Sequence, residues 1–476
     1  MVCITGTKRI HRAQLASLVR DFACILVIAA VCALFTCLAP NPAFAEVKKA
    51  DVICGISVEQ RGSSVAECPS IDATYAVLMG QDGTVYFERD AQAPSQIASI
   101  TKVMTAIVAL DNAREGTQIT VSESAAAIGE SSANLQAGDV MDLDAALKAL
   151  LVPSGNDAAQ ALAETIGTQM IEDDSTRGID PVVVFVQAMN DKAAEIGCVD
   201  TTYTNPHGLD DGEWAGSLHS TALDQAKVAQ CAMGYEQIRT IVAGGSTTIK
   251  VQRDGKATDV DLETTDELLE MYEYTIGVKT GVTDLAGPSF MGAANKDGLE
   301  LYSIVLGSTD EYQRFADTKT LFTWAYDHVH DLALAQTDEV ATMTFDGTER
   351  EVPVIGEASL AEWTDKTVKA TLAQPDATIS VFDLEGNVSQ AVTFDDLYGT
   401  VHEGDKVGSI VYKQRNMVVA EQDLLACETV EAPNPIETIQ IAWTRFTSGL
   451  TGAQTQADSI VYNVMPIINN NVSNAA

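Results

Sequence analysis

Ser99 and Lys102 stand three positions apart in the stretch ASITKVMTA (98–106), where the chain begins to read as an apolar helix. Residues at that spacing share one helix face and can touch. Ala98, Ile100, Val103, Met104 and Ile107 around them favour burial, so the lysine is drawn toward the core beside a hydroxyl. A serine hydroxyl attacks poorly until a base takes its proton. Desolvation disfavours an ammonium, so a buried lysine can be that base. The pair alone is weak evidence. Ser-x-x-Lys arises often by chance, and surface lysines lay their stems over apolar neighbours while the amine stays in water.

Two further motifs change the weighting. VPSGNDAA places Ser154, Gly155 and Asn156 in a sharp break between two helical patterns, which aims polar side chains out of a turn. GVKTGVTD places Lys279, Thr280 and Gly281 in a strand, where small residues let a substrate backbone approach edge-on. Ser-x-x-Lys, Ser-x-Asn and Lys-Thr-Gly in that order form the serine acyl-transferase signature of penicillin-binding proteins and β-lactamases. ASITKVMTA, LLVPSGNDAAQALAE, TNPHGLDD, HSTALDQAK, VKTGVTDLAG and LYSIVLGST together extend the likeness over about residues 73–330. This stretch resembles the low-molecular-mass penicillin-binding proteins that are D-alanyl-D-alanine carboxypeptidases, peptidase family S11.

The resemblance implies a role for each matching residue. Ser99 would be the acylated nucleophile and Lys102 its general base. Ser154 and Asn156 would complete the proton relay and hold the substrate amide. Lys279 would orient the substrate's terminal carboxylate, with Thr280 bonding it and Gly281 beside it. Arg314, in the segment after VLGST, stands where the family often has an arginine near that carboxylate; a surface arginine is the alternative reading. Backbone N–H groups of Ser99 and of a residue beside the Lys-Thr-Gly strand would form the oxyanion hole. His207 would shape a loop beside the site, since a lysine base leaves it no necessary role. The implied substrate is a peptidoglycan stem peptide ending in D-Ala-D-Ala. β-Lactams would be covalent inhibitors, and neither metal nor organic cofactor is implied. The chain departs from the family pattern at Ile97, where proline is usual, and at Ile276, where an acidic residue is usual. Two other readings are a serine β-lactamase and a non-catalytic wall-binding module with the same fold.

The elements that must position these residues follow from pattern. TYAVLMGQDGTVYFERD predicts two strands joined at Asp82-Gly83. DLDAALKALLV predicts a helix broken by Pro153, and NDAAQALAETIG a second one starting at Asn156-Asp157. VVVFVQAMNDKAAEIG and STALDQAKVAQCAM predict helices on either side of the turn-rich TNPHGLDDGEW. Three strands run from YTIGVKTG to LYSIVLGST, and DTKTLFTWAYDHV closes the region as a helix. Helices framed by strands from both ends imply an α+β domain with a mainly antiparallel sheet. That is the transpeptidase-like arrangement the resemblance also implies. From about residue 336, short alternating segments with DG, EG and HEGD turns predict a small all-β domain. PNPIETIQIAWTRFTSGL aligns Ile436, Ile439, Trp443, Phe446 and Leu450 on one helical stripe. The β-rich stretch and this tail resemble the family's C-terminal domain and membrane anchor. Either the stripe meets the membrane peripherally through 436–450, or it packs on the β domain. The last twenty residues, rich in Asn, read as poorly ordered.

Residues 1–45 join a basic opening (Lys8, Arg9, Arg12, Arg20), an apolar run and Ala43-Phe44-Ala45. This is the layout of a cleaved secretory signal; an uncleaved anchor is the competing reading, because the run is long. Either way the remainder is exported to the cell envelope. The expected divisions are 1–45 signal, 46–72 leader, 73–335 catalytic domain, 336–430 β-rich domain and 431–476 helix and tail. The whole chain has a net charge of −38. Without the signal, 25 Lys+Arg face 66 Asp+Glu, a net of −41, which excludes nucleic acid as a partner through phosphate repulsion. Cys54, Cys68, Cys198, Cys231 and Cys427 remain, with no metal-type Cys-x-x-Cys pair. Cys54 and Cys68 flank a Gly/Ser-rich stretch, compatible with a disulfide or with unpaired thiols.

Overall fold

The computed structural model describes residues 47–62, 67–171, 178–345 and 347–465. The expected signal segment and the end of the Asn-rich tail lie outside the described residues.

The chain enters the main sheet earlier than its sequence suggests. Residues 46–72 show no periodicity, yet they supply β1 (Val52–Ile53) and β2 (Ile56–Ser57). Two-residue strands are too short to leave a pattern. A tertiary contact holds them: Asp51 and Arg89, each 1% exposed, form a 2.6 Å ion pair, and Arg89 also donates to the carbonyls of Ile71 and Ala73. The expected hairpin follows as β3 (Tyr75–Gly80) and β4 (Val85–Arg89). Helix α1 (Thr101–Asn112) comes next.

A helical insert follows along the sequence: β5 (Gln118–Thr120), β6 (Val140–Asp142), α2 (Leu143–Leu151), α3 (Asn156–Met170), α4 (Pro181–Glu195), α5 (Ala222–Met233) and α6 (Glu236–Ala243). Each of these helices lies where the apolar spacing predicts one, apart from α6. The hairpin β7 (Thr247–Arg253) and β8 (Lys256–Leu262) is also additional; its Asp254-Gly255 turn between alternating residues is the signal for it. It completes a four-stranded sheet in the order β5-β6-β7-β8. The chain returns through β9 (Thr275–Gly281), β10 (Ser289–Lys296) and β11 (Leu299–Leu306) to helix α7 (Gln313–Asp327).

The main sheet has seven antiparallel strands in the order β2-β1-β4-β3-β11-β10-β9. Val77 and Met79 of β3 face a core shared with α1, α3 and α5, while Ala76 and Leu78 face a second core shared with α7. With both faces covered, β3, β10 and β11 are apolar nearly throughout rather than alternating. The Lys-Thr-Gly strand is the edge of this sheet, so one side of it has no strand partner.

Beyond α7 lies a separate sheet-rich domain. Its six-stranded sheet encloses Val368, Leu372, Ile410, Tyr412 and Leu424. Helix α8 (Pro435–Thr451) starts at an Asn434–Glu437 capping box. It touches this domain through Ile441 and through Arg445, which donates to the Ala361 and Trp363 carbonyls. The stripe Ile436, Ile439, Trp443, Phe446 and Leu450 is 59–73% exposed, so it is not what packs on the β domain. Among the described residues no helix is long and apolar enough to cross a membrane. Cys54 and Cys68 are both free, buried thiols, which decides between the two readings of that pair.

Candidate active site

Ser99 lies in a single helical turn, Ala98–Ile100, that runs into α1. Lys102, one turn on, is fully buried. Its Nζ is 2.8 Å from Ser99 Oγ and 2.8 Å from the His207 carbonyl oxygen. The amine is thus held by the loop 204–210, which is itself pinned to α1. Thr105 Oγ1 donates to the Pro206 carbonyl, and Asn205 Oδ1 accepts from the N–H groups of His207 and Gly208. Gly208 has φ +93°, and a Cβ there would lie 1.9 Å from the Ala98 carbonyl oxygen. Only glycine lets the loop close over the turn that carries Ser99. Gly281 does the same from the opposite side. A Cβ on it would stand 2.9 Å from the Ile97 carbonyl oxygen, so β9 can lie directly against the Ser99 turn.

The Ser154 turn also takes an unusual backbone. Ser154 has φ +66°, and Asn156 opens α3 with its side-chain amide donating to the Gly129 carbonyl at 2.8 Å. Asn156 Oδ1 is buried with no partner among the described residues. No hydrogen bond joins Ser154 to Lys102 or Lys279 among the described residues. Lys279 is 1% exposed, with Nζ 3.0 Å from the Thr280 carbonyl and 3.4 Å from Thr280 Oγ1. Arg314, 4% exposed, reaches the Gly281 carbonyl at 3.4 Å. It is not a surface arginine.

A family model for D-alanyl-D-alanine carboxypeptidases, peptidase family S11, matches residues 62–310. The chain belongs to the D-alanyl-D-alanine carboxypeptidases. This carboxypeptidase is 25% identical over 390 residues to D-alanyl-D-alanine carboxypeptidase DacF of Bacillus subtilis, covering 79% of this chain and 91% of that one. It is 31% identical over 258 residues to DacB2 of Mycobacterium tuberculosis, covering 53% and 81%. Among solved structures, a single-substitution mutant of the Streptomyces K15 DD-transpeptidase matches with a TM-score of 0.50 at 29% identity, over 55% of this chain and all of the other. The D-alanyl-D-alanine carboxypeptidase DacD of Francisella tularensis shares the fold, at 24% identity and TM-score 0.50, over 76% of this chain and 94% of that one. The fold class and activity expected from sequence agree with these findings.

In the carboxypeptidase the electrostatics of the site follow from burial. Desolvation, then the nearby Lys279 charge, hold the Lys102 pKa well below the usual lysine value, against a smaller pull from Asp157. Burial and the Arg314 charge bring Lys279 down to about 7, opposed by Asp266. His207 is fully buried and its pKa falls to about 3, through burial and then the Lys102 charge. It stays neutral, so its part is to present its carbonyl to Lys102 and its ring to the edge of Trp214.

Two residues of this neighbourhood have no site role in the sequence expectations. Asp157, 1% exposed, accepts from Ser132 Oγ and from the N–H groups of Ala133 and Leu135, fixing the loop whose Gly129 carbonyl holds Asn156. Sequence marks it only as a helix-capping residue. Thr265 Oγ1 lies 2.6 Å from Thr280 Oγ1 across the site wall, and no motif flags it.

Proposed function

We propose that this carboxypeptidase removes the terminal D-alanine of peptidoglycan stem pentapeptides through an acyl-enzyme on Ser99. The observation that carries this reading is the burial of Lys102 with its amine 2.8 Å from Ser99 Oγ. The neutral amine takes the hydroxyl proton as Oγ bonds to the carbonyl carbon between the two D-alanines. Backbone N–H groups of Ser99 and of a residue beside β9 receive the oxygen that becomes negative. The C–N bond then breaks, and the proton passes to the departing D-alanine nitrogen through Lys102 and Ser154. Water, deprotonated along the same route, hydrolyses the ester and regenerates Ser99. Asn156 holds the substrate amide. Lys279, Thr280, Gly281 and Arg314 form the wall that receives the terminal carboxylate, where two buried cations favour an anion.

β-Lactams mimic the dipeptide and acylate the same serine. The basic, apolar N-terminal segment with its Ala-x-Ala end supports export. The exposed stripe of α8 supports peripheral contact with the outer face of the cytoplasmic membrane. The test is mass spectrometry of a stem pentapeptide incubated with wild type and with Ser99→Ala. Wild type should release one alanine and the variant none; equal release by both would sink the proposal.

A further inference from the structure

The Lys-Thr-Gly strand is walled by a turn that the roles above leave unused. Residues 264–267 lead into a short helical turn, Leu268–Met271. Thr265 ties this segment to both sides of the site. Its N–H donates to the Val152 carbonyl at 3.2 Å, two residues ahead of Ser154, and its hydroxyl meets Thr280. The next residue, Asp266, is 6% exposed. Its Oδ1 accepts from the Leu268 N–H at 2.9 Å, while Oδ2 is buried with no hydrogen-bond partner among the described residues. A dry carboxylate oxygen without a donor is costly and persists where nearby charge offsets the cost.

The nearby charges are cations. Lys279 on β9 and Arg314 on α7 both act on Asp266. Among the described residues Lys279 Nζ hydrogen-bonds only the two Thr280 oxygens, at 3.0 and 3.4 Å, so an ammonium there retains donor capacity for a ligand. Arg314 has a buried Nε with no partner among the described residues. Arg314 also pairs at 3.2 Å with Glu311, whose side chain is 69% exposed, and Glu267 acts on it as well. Lys102 faces Lys279 from α1. Two buried cations therefore lie close enough to act on one buried carboxylate.

Resting on the reading that Lys279 receives the substrate's terminal carboxylate, we propose that Asp266 is a positioning residue of that pocket: its buried charge extends the pH range over which Lys279 stays an ammonium. Burial raises Asp266 to about 7, and Lys279 lies at about 7 as well, so the two titrate as a pair near neutrality. Below that range Asp266 is protonated and Lys279 carries its proton unaided. As Asp266 ionises through that range its charge opposes the loss of the Lys279 proton, so the ammonium survives to higher pH than it would alone. Removing the Asp266 charge lets Lys279 lose its proton at lower pH, and the pocket then loses its grip on an anion.

The test compares Asp266→Asn with wild type on a pentapeptide ending in D-Ala-D-Ala and on its C-terminal amide. At about pH 8, D266N should raise KM for the free acid roughly tenfold with kcat changed less than about twofold. At about pH 5.5 the two enzymes should have nearly equal KM, and the amide should show no difference at either pH. Asp266→Glu should recover part of the loss. A D266N enzyme with wild-type KM at pH 8 overturns the proposal. So does an equal loss on both peptides, which would mark a merely structural role. If wild type itself bound acid and amide with equal KM, the assignment of Lys279 would fail first, an outcome distinct from the other two.

Discussion

Lys102 Nζ lies 2.8 Å from the main-chain oxygen of His207, 105 positions further along the chain, and 2.8 Å from Ser99 Oγ. A carbonyl oxygen can only accept. Once the amine is neutral, one of its hydrogens goes to His207, and the geometry leaves its lone pair for the serine proton. On the proposed reading of Lys102 as the base, the loop therefore aims it as well as covering it.

The first prediction concerns that base. A depressed pKa enlarges the neutral fraction of Lys102 at neutral pH, so acylation by labelled penicillin should rise with pH along a limb below the ordinary lysine range. Lys102→Ala should cut the acylation rate about a thousandfold. The same shift has a stability consequence. The unfolded chain keeps this proton up to about pH 10.4, while the folded chain loses it earlier, so stability should rise with pH between those two points. Urea unfolding should show a steeper rise in wild type than in the variant, where Lys279 still contributes one of the same sign. A K102A enzyme that acylates at the wild-type rate would remove the lysine from the mechanism.

Gly208→Ala tests the closure of the loop. The added Cβ meets backbone, the Ala98 carbonyl oxygen at 1.9 Å, at a φ of +93° that side chains resist. We expect a loss of about 2 kcal/mol or more in stability. Acylation should slow as well, because the turn that must move carries Ser99. Thermal unfolding and penicillin labelling measure the two effects; an alanine variant with wild-type melting would show that the loop adapts.

The stripe on α8 gives the third prediction. Trp443→Asp with Phe446→Asp places charge on a face where the native residues are 67% and 59% exposed. Binding to zwitterionic phospholipid vesicles should fall at least about tenfold, while kcat on a soluble pentapeptide stays unchanged. Vesicle binding that survives both substitutions would separate α8 from any membrane contact.

Much of this protein is legible locally. The Ser99–Lys102 contact follows from helical spacing, and Pro153, Asp82-Gly83 and the apolar periods mark elements where they occur. What escaped lies in long-range pairing. β1 and β2 exist through Asp51–Arg89, whose partners are 38 positions apart. Asp157 reads as a cap, yet it organises a loop 22 to 25 residues earlier. Thr265 and Asp266 sit in no motif, and their meaning comes from the strand they wall.

The order and composition of three short motifs, written into the chain, determined which chemistry is available: a hydroxyl, an amine to activate it, and a cationic strand. Tertiary structure alone decided whether the amines are dry, which carbonyl aims Lys102, and which carboxylate faces Lys279. Spacing along a helix sets only who is near whom within a turn or two. Burial and charge balance depend on segments distant in the chain, brought together by the closing of the sheet and its loops.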